Sequence, residues 1–279
     1  MENYQRRFYK ILKEVTHYMI FSSKINIIKY LGGLMFLSLI SINLALSNER
    51  ELKKKFCIYN TYILGYSVEN RPIYLIEMGN GKEITLILGV IHGDEPQGKY
   101  IIEKLRDYLK LKPDILKGKK VLLIPVANPD GLIRKTRTNA RGVDLNRNFP
   151  TKDWGTIKQK RYNPGKKDPE PETKIIIKVI ERYKPHKVIS IHSYYRYCNN
   201  YDGPAEELAK VMSKYNKYPV KSYIGYPTPG SLGTYLGKER NIPIVTLELP
   251  NNISNEKAWL QNKTALIAAI KFNIIKKEK

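Results

Sequence analysis

Four short apolar runs constrain this chain more than anything else in it. Residues 84–91 (ITLILGVI), 120–127 (KVLLIPVA), 187–192 (KVISIH) and 242–249 (IPIVTLEL) are rich in Ile, Val and Leu without a strict apolar and polar alternation. Runs of that length and composition read as β-strands buried on both faces, as in the interior of an α/β sheet. Between them, residues 97–110, 170–183, 205–215 and 256–275 carry apolar side chains at helical spacing. Pro169 and Pro171, with Glu170 and Glu172, mark a helix start. The alternation predicts an α/β fold: one domain with a mixed, mostly parallel β-sheet flanked by helices on both faces. At 279 residues and 42% apolar the chain can bury one substantial core. The domain is expected to span 56–279, preceded by an N-terminal extension, 1–55.

Polar residues punctuate these runs in a way that burial alone does not explain. The first passes directly into His92-Gly93-Asp94-Glu95, so a His and a Glu leave the C-terminal end of a strand three residues apart. That edge of an open α/β sheet is where ligands bind. Imidazole nitrogen and carboxylate oxygen are good zinc ligands at ~2.0–2.2 Å, and Gly93 removes bulk where the chain bends. An H-x-x-E match by itself is often only a surface turn. Its weight comes from the third run, which ends in His192 and can supply another ligand from a neighbouring strand. The chain has four histidines. His17 falls in the extension and His186 before its strand, and both are assigned to the surface. Glu248 interrupts the fourth run, where an isolated carboxylate is costly to bury and so requires a partner or a function.

The net charge of +23 would suit nucleic acid, a membrane surface or an anionic substrate. The basic residues are spread along the whole chain and form no nucleic-acid module, so no nucleic-acid partner is expected. A lysine-rich solvated surface accounts for the charge, and an anionic envelope polymer or lipid is the other reading. Cys57 and Cys198 have no metal-ligand spacing. They are read as two free thiols, or as one disulfide in an exported protein.

Residues 31–46 (LGGLMFLSLISINLAL) carry no charge, and the apolar stretch reaches back to 25 if Lys29 snorkels. It lies between a signal-peptide apolar region of ~7–15 residues and the ~20 of a spanning helix. Ala45 and Ser47 have the spacing of a signal-peptidase site. The expectation is export, with residues 25–46 as signal or membrane anchor and a location in the cell envelope, periplasmic or membrane-anchored. A buried helix of a cytoplasmic protein is the alternative.

The succession HGDE, NPDG, an Arg before NARGVDLNRNFP, SIHS, YPTPGS and TLELP resembles the zinc carboxypeptidases of the carboxypeptidase A type. It is most similar to their bacterial branch of murein peptide amidases. Six motifs in order cover about 62–273. The resemblance implies that His92, Glu95 and His192 hold one zinc ion, with Asp144 orienting the first histidine. Glu248 would be the general base that takes a proton from the attacking water and passes it to the leaving nitrogen. Arg137 would polarise the scissile carbonyl, with Arg134 as the alternative. Asn146 and Arg147 would clamp the substrate's terminal carboxylate, and Tyr226 would match the mobile tyrosine that closes over substrate.

At the position that helps set side-chain preference the chain reads Ser231-Leu232-Gly233, without an acidic residue. This departs from the enzymes that prefer C-terminal Lys or Arg. The implied substrate is a peptidoglycan-derived peptide ending in meso-diaminopimelate, joined through the γ-carboxyl of D-glutamate. The rival readings are a carboxypeptidase acting on ordinary peptides, a zinc deacylase of the aspartoacylase type, and a non-catalytic protein that binds wall peptides.

Overall fold

In the computed structural model, whose described residues are 13–14, 38, 41–43, 59–156 and 162–274, the four apolar runs are neighbouring strands of one sheet. The strands are β1 (Tyr59–Tyr66), β2 (Pro72–Met78), β3 (Glu83–Gly89), β4 (Lys119–Ile124), β5 (Lys187–Tyr194), β6 (Cys198–Asp202), β7 (Val220–Lys221) and β8 (Ile244–Pro250). Their order is β1-β2-β4-β3-β5-β8-β6-β7. The centre, β4-β3-β5-β8, is parallel. Antiparallel pairs flank it, β1 with β2 and β2 with β4 on one side and β6 with β8 on the other. The short β7 is parallel to β6.

The helices are α1 (Gln97–Leu111), α2 (Pro129–Arg134), α3 (Pro171–Tyr183), α4 (Glu206–Asn216) and α5 (Asn255–Lys271). Strand periodicity sends alternate side chains to opposite faces. Ile87, Ile189, Val245 and Leu247 join one cluster with the apolar faces of α1, α4 and α5. Leu86, Leu88, Val188 and Ile244 join the other with Ile176, Val179 and Ile180 of α3. Each such side chain, removed from water, contributes roughly 1.5–3 kcal/mol. The helix ends follow local chemistry. Pro171 opens α3, Glu170 is its cap residue, and Lys184 at φ 46° ends it. Ser254 caps α5 by accepting the Lys257 N–H.

Four strands were not evident in the sequence. β1 is mostly exposed and its alternation is interrupted by a register shift between Ile63 and Gly65. β6 reads CNNYD, a polar run. His186 is half-buried rather than on the surface, because its Nδ1 accepts the Ile84 N–H at 3.1 Å where β3 begins. All of these elements lie in one compact unit, Lys55–Lys279. The signal or anchor expected at 25–46 and Cys57 lie outside the described residues, apart from isolated positions; Cys198 is a buried free thiol. Among the described residues no helix is long and apolar enough to cross a membrane.

Candidate active site

The site begins where β3 breaks. Val90, a β-branched residue, is held at φ 53°, a conformation that costs ~1–3 kcal/mol and persists only where its surroundings enforce it. They do so through the Ala127 and Asn128 N–H groups, which donate to the carbonyls of Gly89 and Val90 at 3.0 and 2.9 Å. Past this kink, Gly93 lies so close to α2 that a Cβ there would sit 1.9 Å from the Gly131 carbonyl carbon. Only glycine fits, and the turn it makes aims His92 and Glu95 across the C-terminal edge of the sheet.

His192 arrives from β5. Its Nδ1 lies 2.9 Å from Glu95 Oε2 and 3.1 Å from His92 Nδ1, and His92 Nδ1 is 2.9 Å from Glu95 Oε1. The outer nitrogens are held as well: His92 Nε2 meets Asp144 Oδ1 at 3.1 Å and His192 Nε2 meets Ser190 Oγ at 2.9 Å. A ring that donates Nε2–H to Asp144 presents its Nδ1 lone pair inward. Two inward ring nitrogens and a carboxylate, all buried and within 4.8 Å of one another, make a donor set that suits a cation. Two imidazoles and one carboxylate are a recurrent catalytic zinc set, which leaves a coordination position open. Burial alone would raise Glu95 and Asp144. The histidine rings around Glu95, and His92 and Arg137 around Asp144, outweigh burial and hold both below the usual carboxylate range.

Glu248 stands beside His192, because the two residues are register partners on β5 and β8. Val245, Leu247 and Leu249 turn to the helix-covered face, so Thr246 and Glu248 face the cavity. Burial first, then the charge of Glu95, push the Glu248 carboxyl up to about 8, against the opposing pull of His92, Arg137 and Arg147.

The rest of the cavity, about 430 Å³, is lined by several residues that the sequence singled out, Arg137, Asn146, Arg147 and Tyr226 among them. Arg137 donates through Nε to Asp144 Oδ2 at 2.9 Å, with Nη1 3.7 Å from Glu95. Asn146 Oδ1 accepts the Leu232 N–H at 2.9 Å, and Arg147 Nη1 donates to the Asn146 carbonyl at 2.7 Å. Gly230, at φ 68°, lets its loop lie against Arg147, where a Cβ would meet the carbonyl oxygen at 2.1 Å. Arg134 is not brought to the site. It closes α2 and turns outward to Glu69 and the Ala140 carbonyl, while Arg137 lies in the loop that returns toward Asp144.

Sequence reasoning missed three contributors. Ser190 is two residues before His192, hence on the same face of β5, and that periodicity could have found it. Tyr162, from the polar loop after Pro150, stacks on Tyr226 with ring centres 6.0 Å apart and lies 5.0 Å from the Arg147 guanidinium. No sequence signal marks it. Asp202 reaches the cavity from β6.

A three-ligand metal site beside a buried carboxyl at the C-terminal edge of an α/β sheet defines a metal-dependent hydrolase. A model of the zinc carboxypeptidase family matches residues 50–255. Murein peptide amidase A of Vibrio campbellii (strain ATCC BAA-1116) is 37% identical over 202 residues, covering 67% of this chain and 77% of the relative. The crystal structure of murein-tripeptide amidase from Escherichia coli O157 superposes with a TM-score of 0.64 at 27% identity, covering 77% of this chain and 93% of its own. Carboxypeptidase A of Helicoverpa armigera, 18% identical with a TM-score of 0.65 over 82% of this chain and 71% of its own, shares the fold. This chain belongs to the zinc carboxypeptidase family. It is a zinc metallopeptidase whose cofactor is one zinc ion, and His92, Glu95 and His192 form the group positioned to hold it.

Proposed function

We propose that the protein hydrolyses the amide bond before the C-terminal residue of a murein stem peptide, the γ-D-glutamyl-meso-diaminopimelate bond. The observation that carries the exopeptidase part is the Asn146-Arg147 pair on the wall of the same cavity as the metal ligands and Glu248. A guanidinium binds a carboxylate through two parallel hydrogen bonds, which selects a free chain end. The murein part draws on the names and similarity of the relatives.

Zinc in such a site supplies Lewis acidity, lowering the pKa of water to ~7 and polarising a carbonyl. The chain's own groups perform the rest. Glu248 accepts a proton from the attacking water and delivers it to the leaving nitrogen. Arg137, fixed by Asp144, offers its guanidinium to the oxygen that becomes negative. Asp144 and Ser190 keep the histidines oriented, and Tyr226, stacked on Tyr162 and edge-on to Tyr194, covers the substrate. The apolar run at 31–46 motivates an envelope location for this reaction, which fractionation of cells expressing the full chain tests.

The zinc-loaded protein should release diaminopimelate from L-Ala-γ-D-Glu-meso-diaminopimelate, and a chelator should stop the release until zinc is returned. Trimming of ordinary peptides with the murein tripeptide left intact would refute the murein assignment.

A further inference from the structure

One aromatic ring stands where three groups of the site meet. Tyr162 stacks on Tyr226, with ring centres 6.0 Å apart and planes 20° from parallel. The guanidinium carbons of Arg147 and Arg137 lie 5.0 and 5.5 Å from the centre of the same Tyr162 ring. All four residues line the cavity that also holds Glu248. Burial first, then Glu248, raise the Tyr226 hydroxyl, and Arg147 and Arg137 oppose that rise, so Tyr226 too lies within the field of both arginines.

The ring is tied to the segment it serves. The next residue, Asn163, accepts the Asp144 N–H on its carbonyl at 2.8 Å and donates from Nδ2 to the Gly142 carbonyl at 2.9 Å. The Pro164 carbonyl accepts Asn148 Nδ2 at 2.8 Å. Tyr162 is thus anchored on both sides of Asn146 and Arg147.

The two arginines gain different things from it. Arg147 is buried, and among the described residues no carboxylate pairs with it; its guanidinium donates to the Asn146 carbonyl. A cation withdrawn from water requires compensation. A carboxylate would supply it, and would also fill the N–H fork that a substrate carboxylate has to enter. A ring face attracts the cation through its quadrupole and leaves the in-plane N–H groups open. Arg137 is already fixed at Nε by Asp144, and a second contact at the ring sets where its remaining N–H groups point.

We propose that Tyr162 is a positioning residue for the hydrolysis, its ring face holding the Arg147 and Arg137 guanidiniums in their working directions and seating Tyr226 beside them. The role rests on the reading that Arg147 takes the terminal carboxylate and Arg137 the scissile carbonyl, and it names the side chain that orders both.

The test compares Tyr162→Phe, which keeps the ring face, with Tyr162→Leu, which keeps much of the bulk and loses the face. Zinc-loaded full-length protein is assayed on L-Ala-γ-D-Glu-meso-diaminopimelate and on an ordinary N-blocked dipeptide, both with a free C-terminal carboxylate. Tyr162→Phe should retain most of kcat/KM. Tyr162→Leu should lose on the order of 10-fold, within the range of one desolvated cation–π contact. The loss should be shared between KM, through Arg147, and kcat, through Arg137. Calorimetry in a Glu248→Gln background then compares each peptide with its C-terminal carboxamide. Tyr162→Leu should shrink the preference for the carboxylate form and Tyr162→Phe should keep it, a ratio independent of the folded fraction.

Equal kcat/KM in the Leu and Phe variants, whether high or low, would overturn the positioning role. An undiminished carboxylate preference in Tyr162→Leu would overturn its hold on Arg147. If the wild type itself binds carboxylate and carboxamide alike, the clamp reading fails, and the difference in kcat between Leu and Phe still decides the hold on Arg137. If only the dipeptide is cleaved, the murein assignment fails and the same comparison is read on the dipeptide.

Discussion

The two faces of the central sheet are built from the same strands and serve different ends. On the face under α1, α4 and α5, β8 contributes Val245, Leu247 and Leu249 to a mainly apolar layer, in which the buried Asn199, Asn216 and Asn262 satisfy one another. On the opposite face the N-terminal half is equally apolar, with Leu86, Val188 and Ile244. Toward the strand ends it turns into Ser190, His192, Thr246 and Glu248. Neighbouring residues thus belong to different problems, and Leu247 and Glu248 are the sharpest pair. One face stabilises the sheet, and the other uses that rigidity to hold polar groups that water would otherwise claim.

Breaking the pair should separate the two. Glu248→Gln should lower kcat by about 10²–10⁴-fold, the range for removal of a positioned general base. Its melting temperature and zinc content should stay close to wild type; unchanged turnover would dismiss Glu248 as the base. Leu247→Ala, one residue away, should do the converse. The side chain is fully buried, so its truncation should cost ~2–5 kcal/mol in urea unfolding, with kcat per folded molecule retained. A large loss of kcat in stably folded Leu247→Ala would show that the two faces are not independent.

That division also explains what could be read from the chain alone. The buried strands were legible because a strand covered on both faces must be apolar throughout, and the observed β3, β5 and β8 lie within a few residues of the expected runs. Their polar endings were legible for the same reason, since His92, His192 and Glu248 have no business in a core. The exposed β1 and the polar β6 carry no such signature. Asp202 became a site residue only when β6 paired with β8, and Tyr162 only when its loop folded over Arg147, approaches that no local spacing encodes. The run Arg134-Lys135-Thr136-Arg137 left two arginines open. The end of α2, with Lys135 at φ 55°, decides between them by turning the chain.

Within the polar end, the two ligand histidines differ in what orients them, a buried carboxylate for His92 and a hydroxyl for His192. Charge-assisted hydrogen bonds are roughly twice as strong as neutral ones. Asp144→Asn should therefore weaken zinc affinity by about 10–100-fold, and Ser190→Ala by less. Zinc competition with a fluorescent chelator ranks them; the reverse order would mean that Asp144 acts mainly through Arg137.

The smallest effect concerns acid. The polar end rests on α2, whose Asp130 accepts hydrogen bonds from Ser67 Oγ at 2.7 Å, Arg71 Nη1 at 2.6 Å and the Glu69 N–H at 3.0 Å. Burial would raise this carboxyl, but those hydrogen bonds outweigh it and hold it below its ordinary value. Its folded pKa is thus lower than its unfolded one. The stability it contributes is complete above the unfolded value of ~3.9 and drains away as pH falls through the folded value. Asp130→Asn should lower the urea midpoint at pH 7 and lose less than wild type on going to pH 3, so the two curves converge in acid. Parallel curves would mean that the shape of Asp130, rather than its charge, supports the turn beneath Gly93.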